Sequence, residues 1–586
     1  MRHLISGAIA MIALGACEAP SSTASKPPIR PADAIYFGGR IYTGIENQRI
    51  DAVAVADGEI LAVGPRADVE AFRADDTMDV DLGGATMFPG FVDAHAHLIG
   101  IGFRELELNL EGVASIAALV EIIAGEVAKA ASGDTIYGRG WIETGWPEGR
   151  MPTRDDLDAV SPDNPVILTR ADGHAAVVNS AALVASGVDA DGATPDPDGG
   201  RIDRDADGRA TGILIDNAEN LVAGLIADPS LARKREAYAV ASDVYAAYGW
   251  TGLHNMSVDP ANLDIIETAA AEGELDIRVY NALNPSGLDL LSTSGPRTAA
   301  AGRIITRAIK MYVDGALGSR GAALSEPYHD APETDGLLLL NEETALPALT
   351  AALKSGVQVN THAIGDRGNR LLLDWYERAF DAVPVEERAL AAPRWRIEHA
   401  QVLHVQDIPR FADLGVIASM QPSHAIGDLH FAPARLGPSR LDGAYAWRSL
   451  IDAGAIVAGG SDAPVERGDP LIEFYAAVAR RDLKGYQGDD WRPEEAVTRA
   501  EALKMFTAWP AYASFQENNL GTIEVGKRAD FTAFQKDIMT INVAEIPGAK
   551  AVLTVVDGAI VFDGRMTANA ASTDVEPSGH EQSSRE

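Results

Sequence analysis

The stretch PGFVDAHAHL, residues 89–98, decides the fold of this chain. It is an apolar run that leads into a His-x-His pair, and residues two apart on a β-strand point to the same face. His95 and His97 can therefore direct both imidazoles at one cation. Such a pair also occurs in protein cores and turns, so further ligands are needed to support a metal site.

Four later apolar runs also end in residues that suit a metal site. They are RAIKMYVDG with Lys310, GVQVNTHAIG with His362, RWRIEHAQ with His399 and AIVAGGSD with Asp462. In a parallel barrel the active site is built where the strands end, so these side chains can converge. The spacing allows one βα unit between successive members, and an extra strand candidate precedes the last one. The ligands would then lie on strands one, four, five, six and eight.

The rest of the chain fits an α/β fold, a (β/α)8 TIM barrel over residues 85–514. Apolar β-like runs alternate there with Ala- and Leu-rich helical stretches, which is typical of a parallel sheet. Residues 104–237 contain Gly- and Asp-rich turns and exceed an ordinary βα loop, so we expect an insertion that covers the active site. Residues 34–84 and 515–566 both resemble β-hairpins, which predicts a small β-sandwich domain built from both termini.

The N-terminus indicates export. Residues 4–14 are apolar but too short to span a bilayer, which predicts a signal peptide over residues 1–16. Leu-Gly-Ala before Cys17 resembles the lipobox of bacterial lipoproteins, which implies a lipid on that cysteine, and Glu18 favours the outer membrane. Cys17 is the only cysteine in the sequence, so it has no disulfide partner in the chain. The alternative is an ordinary secretory signal beside an incidental cysteine.

The amino-acid composition limits which partners the chain can bind. Residues 17–33 and 567–586 are polar or rich in Ser, Pro, Ala and Thr, which predicts a flexible linker and a disordered tail. Lys and Arg total 49 against 85 Asp and Glu, and the net charge of −36 excludes nucleic acid as a partner. We expect membrane contact through the N-terminal lipid only, and a small molecule as the substrate.

The motifs PGFVDAHAHL, KMYVDGALGSR, THAIGDRGN, RIEHAQ and GGSDAPV together resemble the amidohydrolase superfamily. The resemblance is to the amidohydrolase 3 branch, which includes N-substituted formamide deformylases, and it extends over residues 34–564. It implies that one metal is bound by His95 and His97, that a second is bound by His362 and His399, and that Asp462 is both a ligand and a proton acceptor.

The same resemblance implies that Lys310 is carboxylated by CO2 and bridges the metals. An ammonium has no lone pair and cannot ligate, whereas burial beside cations would favour the neutral amine that carboxylation requires. The alternative is an ordinary charged Lys310 that pairs with Asp314, in which case a single metal is bound.

This ligand set predicts a metal-dependent hydrolase. Zinc is the first choice, and manganese, iron or cobalt fit the same imidazole and carboxylate ligands. A metal-activated hydroxide would attack a carbonyl, with Asp462 as general base, although this residue could also cap a helix. We expect hydrolysis of a C–N bond in an amide or cyclic amide. The alternatives are a lactone or ester hydrolase, or a non-catalytic metal-bearing lipoprotein of the cell envelope.

Three further residues are candidates for substrate contact. His174 could bind substrate or stabilise an oxyanion, or it could fix a loop. His424, after the seventh strand candidate, is a candidate for the same roles, although loop histidines are often merely solvated. Trp141 in the insertion could line a pocket, although aromatic residues more often serve burial.

Overall fold

The computed structural model describes residues 30–45, 48–489 and 491–565. The predicted signal peptide, Cys17, the linker up to residue 29 and the tail 567–586 lie outside the described residues. Within these described ranges, no helix has the length and apolar character needed to cross a membrane.

The described chain begins with five strands of a small eight-stranded sheet. They are β1 (Ala34–Tyr42), β2 (Arg49–Ala56), β3 (Glu59–Gly64), β4 (Met78–Asp81) and β5 (Thr86–Pro89). Strand β1 pairs with β4 through its first half and with β5 through its second half. Gly38 and Gly39 lie between the halves, where an added Cβ would approach Asp81 Oδ1 to 2.0 Å and Ala85 O to 2.2 Å. Only glycine permits this close approach.

The barrel begins at β6 (Phe91–Ala96), after which the chain leaves for the insertion. The insertion contains β7 (Leu108–Asn109), β8 (Ile136–Trp141), β9 (Val166–Arg170), β10 (Ala175–Val178), β11 (Gly200–Arg204) and β12 (Ala210–Asp216). These strands form one six-stranded sheet in the order β11-β12-β10-β9-β8-β7. Apolar side chains pack on both faces of it in separate clusters, one around Leu168 and one around Leu214. The insertion is thus a layer with its own core.

The chain then completes the barrel. Its strands are β13 (Trp250–Val258), β14 (Arg278–Leu283), β15 (Arg297–Ala299), β16 (Ile304–Tyr312), β17 (Gln358–Ala363), β18 (Arg396–His399), β19 (Ile417–Met420) and β20 (Val457–Gly459). Apart from β15, which pairs antiparallel with β16, they run parallel in chain order from β6 to β20. The backbone amide of Asp462 donates to His95 O at 2.6 Å, so the two ends of the sheet meet. The predicted (β/α)8 barrel is confirmed.

The C-terminal part returns to the first sheet through β21 (Phe531–Phe534), β22 (Ala551–Val556) and β23 (Ala559–Asp563). The order of the sheet is β23-β22-β21-β5-β1-β2-β3, so the C-terminal strands join the N-terminal ones at the β21–β5 pair with no break in hydrogen bonding. Arg278 on β14 forms a buried ion pair with Asp530, and its second N–H donates to that carboxylate at 3.0 Å. This contact joins the barrel to the small sheet.

The α-helices mostly follow the barrel strands and cover the outside of the barrel. They are α1 (Arg66–Val69), α2 (Leu98–Leu106), α3 (Ile116–Val127), α4 (Arg154–Asp158), α5 (Ser180–Ser186), α6 (Leu231–Tyr248), α7 (Leu263–Ala271), α8 (Leu288–Ser294), α9 (Glu342–Ser355), α10 (Asp366–Ala382), α11 (Ile408–Leu414), α12 (Pro422–Asp428), α13 (Ala432–Leu436), α14 (Trp447–Asp452), α15 (Pro470–Ala479), α16 (Arg499–Phe506) and α17 (Ala508–Ala513).

Candidate metal centre

The six candidate ligands meet at one end of the barrel. His95, Lys310, His362 and His399 lie at or near the carboxyl ends of β6, β16, β17 and β18. The other two are His97, which follows β6 directly, and Asp462, three residues after the end of β20. Ligand atoms of His95, His399 and Asp462 all lie within 4.8 Å of one another, so these three residues could hold one cation.

The Asp462 carboxylate is at the centre of this cluster. Its Oδ1 lies 3.1 Å from His97 Nε2 and 3.4 Å from His95 Nε2. Its Oδ2 lies 3.7 Å from His424 Nε2 and 4.0 Å from His399 Nδ1. One carboxylate therefore reaches side chains from both ends of the barrel sheet.

Each buried histidine of the cluster has one ring nitrogen bound to an acceptor. The pairs are His95 Nδ1 with Glu398 Oε2 at 2.5 Å, His399 Nδ1 with Gln421 Oε1 at 2.8 Å, and His362 Nε2 with Gly315 O at 3.4 Å. A ring nitrogen that donates to an acceptor leaves the other nitrogen with its lone pair. Such partners orient the imidazoles of metal sites and set their tautomers.

The electrostatics favour neutral imidazoles beside an ionised carboxylate. Burial lowers the pKa of His95, His362 and His399 well below the usual range, and the charge of nearby Lys310 acts in the same direction. Burial alone would raise the pKa of Asp462, but His95 and His97 outweigh it and lower this pKa. Metal ions require these forms, because a protonated imidazole has no free lone pair.

Lys310 is buried within the same cluster. Only 1% of it is exposed, and its Nζ lies 3.2 Å from His95 Nε2 and 4.8 Å from the centre of the Tyr312 ring. The Asp314 carboxylate instead accepts hydrogen bonds from the backbone amides of Ala323, Ile364 and Gly365. In the part of the chain that the structure describes, Lys310 and Asp314 form no ion pair.

Two of the candidate ligands have an unusual backbone. His399 has φ of +73° and Asp462 has φ of +62°, in the left-handed region that residues other than glycine rarely adopt. Such a conformation costs about 1–3 kcal/mol and is often found at functional sites. At the end of β18 it turns the chain so that Glu398 and His399, which strand alternation would place on opposite faces, both contact the cluster.

A buried ion pair lies beneath the ligands, and our sequence analysis missed it. Arg396 and Glu398 are both fully buried, and the guanidinium donates to the two carboxylate oxygens at 2.7 and 2.9 Å. Arg396 also donates to His254 Nδ1 and to Ser419 Oγ, each at 2.7 Å. The signal was present in RIEH, where two residues of opposite charge stand two apart and therefore share one face of the strand.

The insertion contributes one histidine, His174, to the surroundings of the cluster. His174 Nδ1 lies 2.7 Å from Asp216 Oδ1, and its ring centre is 5.5 Å from that of His362. Burial would lower the pKa of His174, but the hydrogen bond and the charge of Asp216 outweigh it and raise this pKa to about 9. His174 is therefore protonated at neutral pH.

A cavity of about 70 Å³ separates the cluster from the insertion. Its lining includes Asp462, His399 and His362 from the barrel, and His174 and Ile142 from the insertion. His424 on α12 also lines it, and Glu466 Oε1 lies 4.0 Å from His424 Nε2. The structure thus brings both predicted contact histidines to the site.

Trp141 is not at the cavity, which corrects our expectation for it. Its side chain is fully buried in the core of the insertion, where Nε1 donates to Leu168 O at 2.7 Å and the ring packs against Trp146 at 6.2 Å. Its neighbour Ile142 lines the cavity instead, because successive residues of an extended chain point to opposite faces.

The donor set fits one or two divalent cations. Neutral imidazoles and a carboxylate, without a thiolate, suit zinc, manganese, iron or cobalt. The three ring nitrogens left with lone pairs, together with Asp462, supply the nitrogen and oxygen donors that these ions take.

Comparison with known proteins finds relatives that match most of this chain. A model of the amidohydrolase family matches residues 80–562. YtcJ of Bacillus subtilis, named as an amidohydrolase, is 35% identical over 542 residues, which are 90% of this chain and 99% of the relative. The N-substituted formamide deformylase of Arthrobacter pascens is 30% identical over 533 residues, 88% of this chain and 96% of the relative.

A solved structure gives the same result. The fold matches a metal-dependent hydrolase from Pyrococcus horikoshii with a TM-score of 0.69 and 26% identity, over 87% of this chain and 99% of that one. The resemblance identified from the motifs is therefore confirmed. The chain belongs to the amidohydrolase family and is a metal-dependent hydrolase.

Proposed function

We propose that this hydrolase cleaves a C–N bond, in a linear or cyclic amide, of a small organic substrate. Support for the bond type comes from the 30% identity to an N-substituted formamide deformylase over nearly the whole chain. Support for hydrolysis at this site comes from the position of Asp462, whose carboxylate lies among the candidate ligands and lines the cavity.

When bound, the divalent metal, for which zinc is our first choice, lowers the pKa of water and polarises a carbonyl group. Asp462 is ionised, so it accepts the proton of the attacking water and then delivers it to the leaving nitrogen. The left-handed backbone at Asp462 holds this carboxylate toward His95 and His97 rather than along the strand.

His174 acts from the insertion side of the cavity. Because Asp216 keeps it protonated, its imidazolium stabilises the negative charge that develops on the carbonyl oxygen. His424 lies next to Asp462 and lines the same cavity, so it is placed to hydrogen bond to a polar group of the substrate.

Lys310 completes the proposed ligand set as a carbamate. The ammonium first loses one proton to solvent; the neutral amine then attacks CO2, an N–C bond forms, and a second proton leaves, so that the cation is replaced by an anionic group with oxygen donors. The buried position beside His95 supports this assignment. Protein prepared under ¹³CO2 should show a carbamate carbon resonance that is absent from the Lys310→Met variant, and its absence from both would refute the carbamate.

The function is tested on purified metal-loaded protein with N-substituted formamides, cyclic amides, lactones and esters. We expect amide turnover, and a 10²- to 10⁴-fold lower kcat in Asp462→Asn because the general base is lost. Metal analysis of the variant shows whether the loss of kcat exceeds the loss of metal. The matched control is Asp374→Asn, an exposed carboxylate of α10 that pairs with Arg410 at 2.8 Å.

The other outcomes of this panel identify the alternatives. Turnover of lactones or esters without amides would contradict the C–N assignment and favour the ester-type hydrolase. Stoichiometric metal with no turnover of any class would favour the non-catalytic lipoprotein. We further propose that the enzyme acts in the cell envelope, attached to the outer membrane through the lipid on Cys17.

A further inference from the structure

A second, larger cavity adjoins the one over the candidate ligands. It measures about 350 Å³, against about 70 Å³ for the first. The two cavities share four wall residues, which are Ile142, Ala171, Val465 and Glu466. The two cavities therefore lie side by side between the insertion and the barrel.

The wall of this side cavity is mainly apolar. It is formed by the insertion, by the loop that follows Asp462, and by helices α12 and α15. The larger apolar side chains are Ile142, Ile426, Pro464, Val465, Ile472 and Leu483. Ile142 and Leu483 are 38% and 52% exposed, which leaves apolar surface open to solvent at this cavity.

Most charged groups in the wall are already paired with an opposite charge nearby. Arg467 lies 3.1 Å from Glu111, Arg104 lies 2.9 Å from Glu105, and His430 lies 3.1 Å from Asp482. These pairs leave little free charge to select an ionic ligand.

Three charged side chains of the wall remain. Glu466 lies 4.0 Å from His424, and the other two, Glu473 and Arg139, face backbone groups. Glu473 is 1% exposed and accepts a hydrogen bond from the Ser423 amide at 3.0 Å, and burial raises its pKa well above the usual range. The Arg139 guanidinium donates to Ala171 O at 3.1 Å. The apolar surface is therefore the main feature available for recognition.

The two volumes indicate which part of a substrate fits each cavity. An apolar cavity of about 150 Å³ is what holds a benzene ring in a protein core. The smaller cavity, at about 70 Å³, has no room for such a ring and suits a formyl- or acetyl-sized group. The larger cavity, at about 350 Å³, holds a ring together with a short linker.

We propose that the side cavity is the subsite for an uncharged alkyl or aryl substituent on the substrate nitrogen. The substrate class is then a short-chain acyl amide with a bulky apolar N-substituent, whose carbonyl lies over the candidate ligands. This inference rests on the proposed function, because that function supplies the scissile amide.

The test measures binding rather than turnover. The probes are N-hydroxyformamides that carry methyl, butyl, benzyl or 4-phenylbutyl groups on nitrogen, titrated calorimetrically into metal-loaded protein. We expect Kd to fall about fourfold for each methylene that enters the cavity. A Kd that stays constant from methyl to 4-phenylbutyl would overturn the proposal.

A glycine allows the cavity to be filled. Gly427 lies on α12 in the wall, and an added Cβ would meet only Glu466 Oε1, at 3.8 Å. In Gly427→Phe we expect the benzyl-to-methyl affinity ratio to fall to about one, because the ring occupies the space of the substituent. The matched control is Gly125→Phe on α3, an exposed helical glycine with nothing within 4 Å of an added Cβ. There the ratio should equal that of the wild type.

A second variant keeps the test informative if Gly427→Phe does not fold. Ile142→Ser changes a partly exposed wall residue and should lower the same ratio about tenfold, since it removes apolar contact area. A wild-type ratio in both Gly427→Phe and Ile142→Ser would refute the subsite. Turnover of N-methylformamide with a flat Kd series means that the function holds and the subsite fails. A Kd that depends on the length of the substituent, without turnover of any amide, means that the side cavity binds apolar groups but the proposed function fails.

Discussion

Replacement of Glu398 by glutamine tests whether the buried ion pair beneath the ligands prepares the metal site. Glu398 accepts from both His95 and Arg396, and all three side chains are fully buried. Glutamine keeps the size of the side chain, so no cavity forms. It removes the charge that balances Arg396, and it replaces one of the two oxygens that accept from Arg396 and His95 by an amide donor.

The expected magnitude has two parts. Breaking one partner of a buried ion pair destabilises a protein by about 3–5 kcal/mol, because the remaining charge stays buried without compensation. Mutating the hydrogen-bond partner of a ligating histidine lowers metal affinity about 10- to 100-fold. We therefore expect Glu398→Gln to lower both the free energy of unfolding and the metal affinity.

Urea denaturation of the metal-free protein and competition with a chelator of known affinity measure these two quantities separately. The matched control is Glu517→Gln, which breaks the pair of hydrogen bonds from Arg394 at 2.7 and 2.9 Å. Glu517 has a side chain that is 35% exposed, so its loss should cost at most about 1 kcal/mol and leave metal affinity unchanged. Metal affinity equal to the wild type in Glu398→Gln would refute the reasoning.

Three further predictions concern pH, metal and location. Burial raises the pKa of Glu219 to about 8, and its Oε1 has no hydrogen-bond partner among the described residues. The folded state therefore keeps a proton that the unfolded chain releases from near pH 4.5 upward, and stability falls as pH rises toward 8. Glu219→Gln should match the wild type in urea at pH 4 and be more stable than it at pH 9; equal midpoints at pH 9 would contradict this. Dialysis against dipicolinate should abolish turnover and lower the thermal midpoint, and added zinc should restore both, because a ligand bound only by the folded state stabilises it. Retained turnover in metal-free protein would exclude the proposed chemistry. Cys17→Ala should move the protein from the membrane fraction to the soluble envelope fraction and prevent incorporation of labelled palmitate, whereas Ser21→Ala should do neither.

The sequence predicted the barrel and the convergence of its ligands because both follow from simple rules. Parallel strands end at the same edge, so His95, Lys310 and His399 could be placed together without coordinates. The strand numbers also agree: the fourth, fifth and sixth parallel strands carry Lys310, His362 and His399, and Asp462 follows the eighth.

The remaining features depend on conformations that residue types do not specify. Glu398 and His399 both contact the cluster only because the backbone turns left-handed at His399, which alternation does not predict. Trp141 could not be assigned to a face, since the sheet of the insertion is covered by apolar clusters on both faces. The side cavity arises between segments distant in sequence, and its volume depends on how the insertion packs on the barrel.

The pairing of β5 with β21 makes completion of the fold a late event during synthesis. Pro89 lies opposite Phe531, so β5, the strand that precedes β6 and its ligand His95, has no neighbour on that side until the ribosome has passed residue 531. Contacts this distant in sequence slow folding, because a long loop must close before they form. Truncated products that end before β21 would therefore expose a β-strand edge, a site where nascent chains aggregate and where chaperones bind.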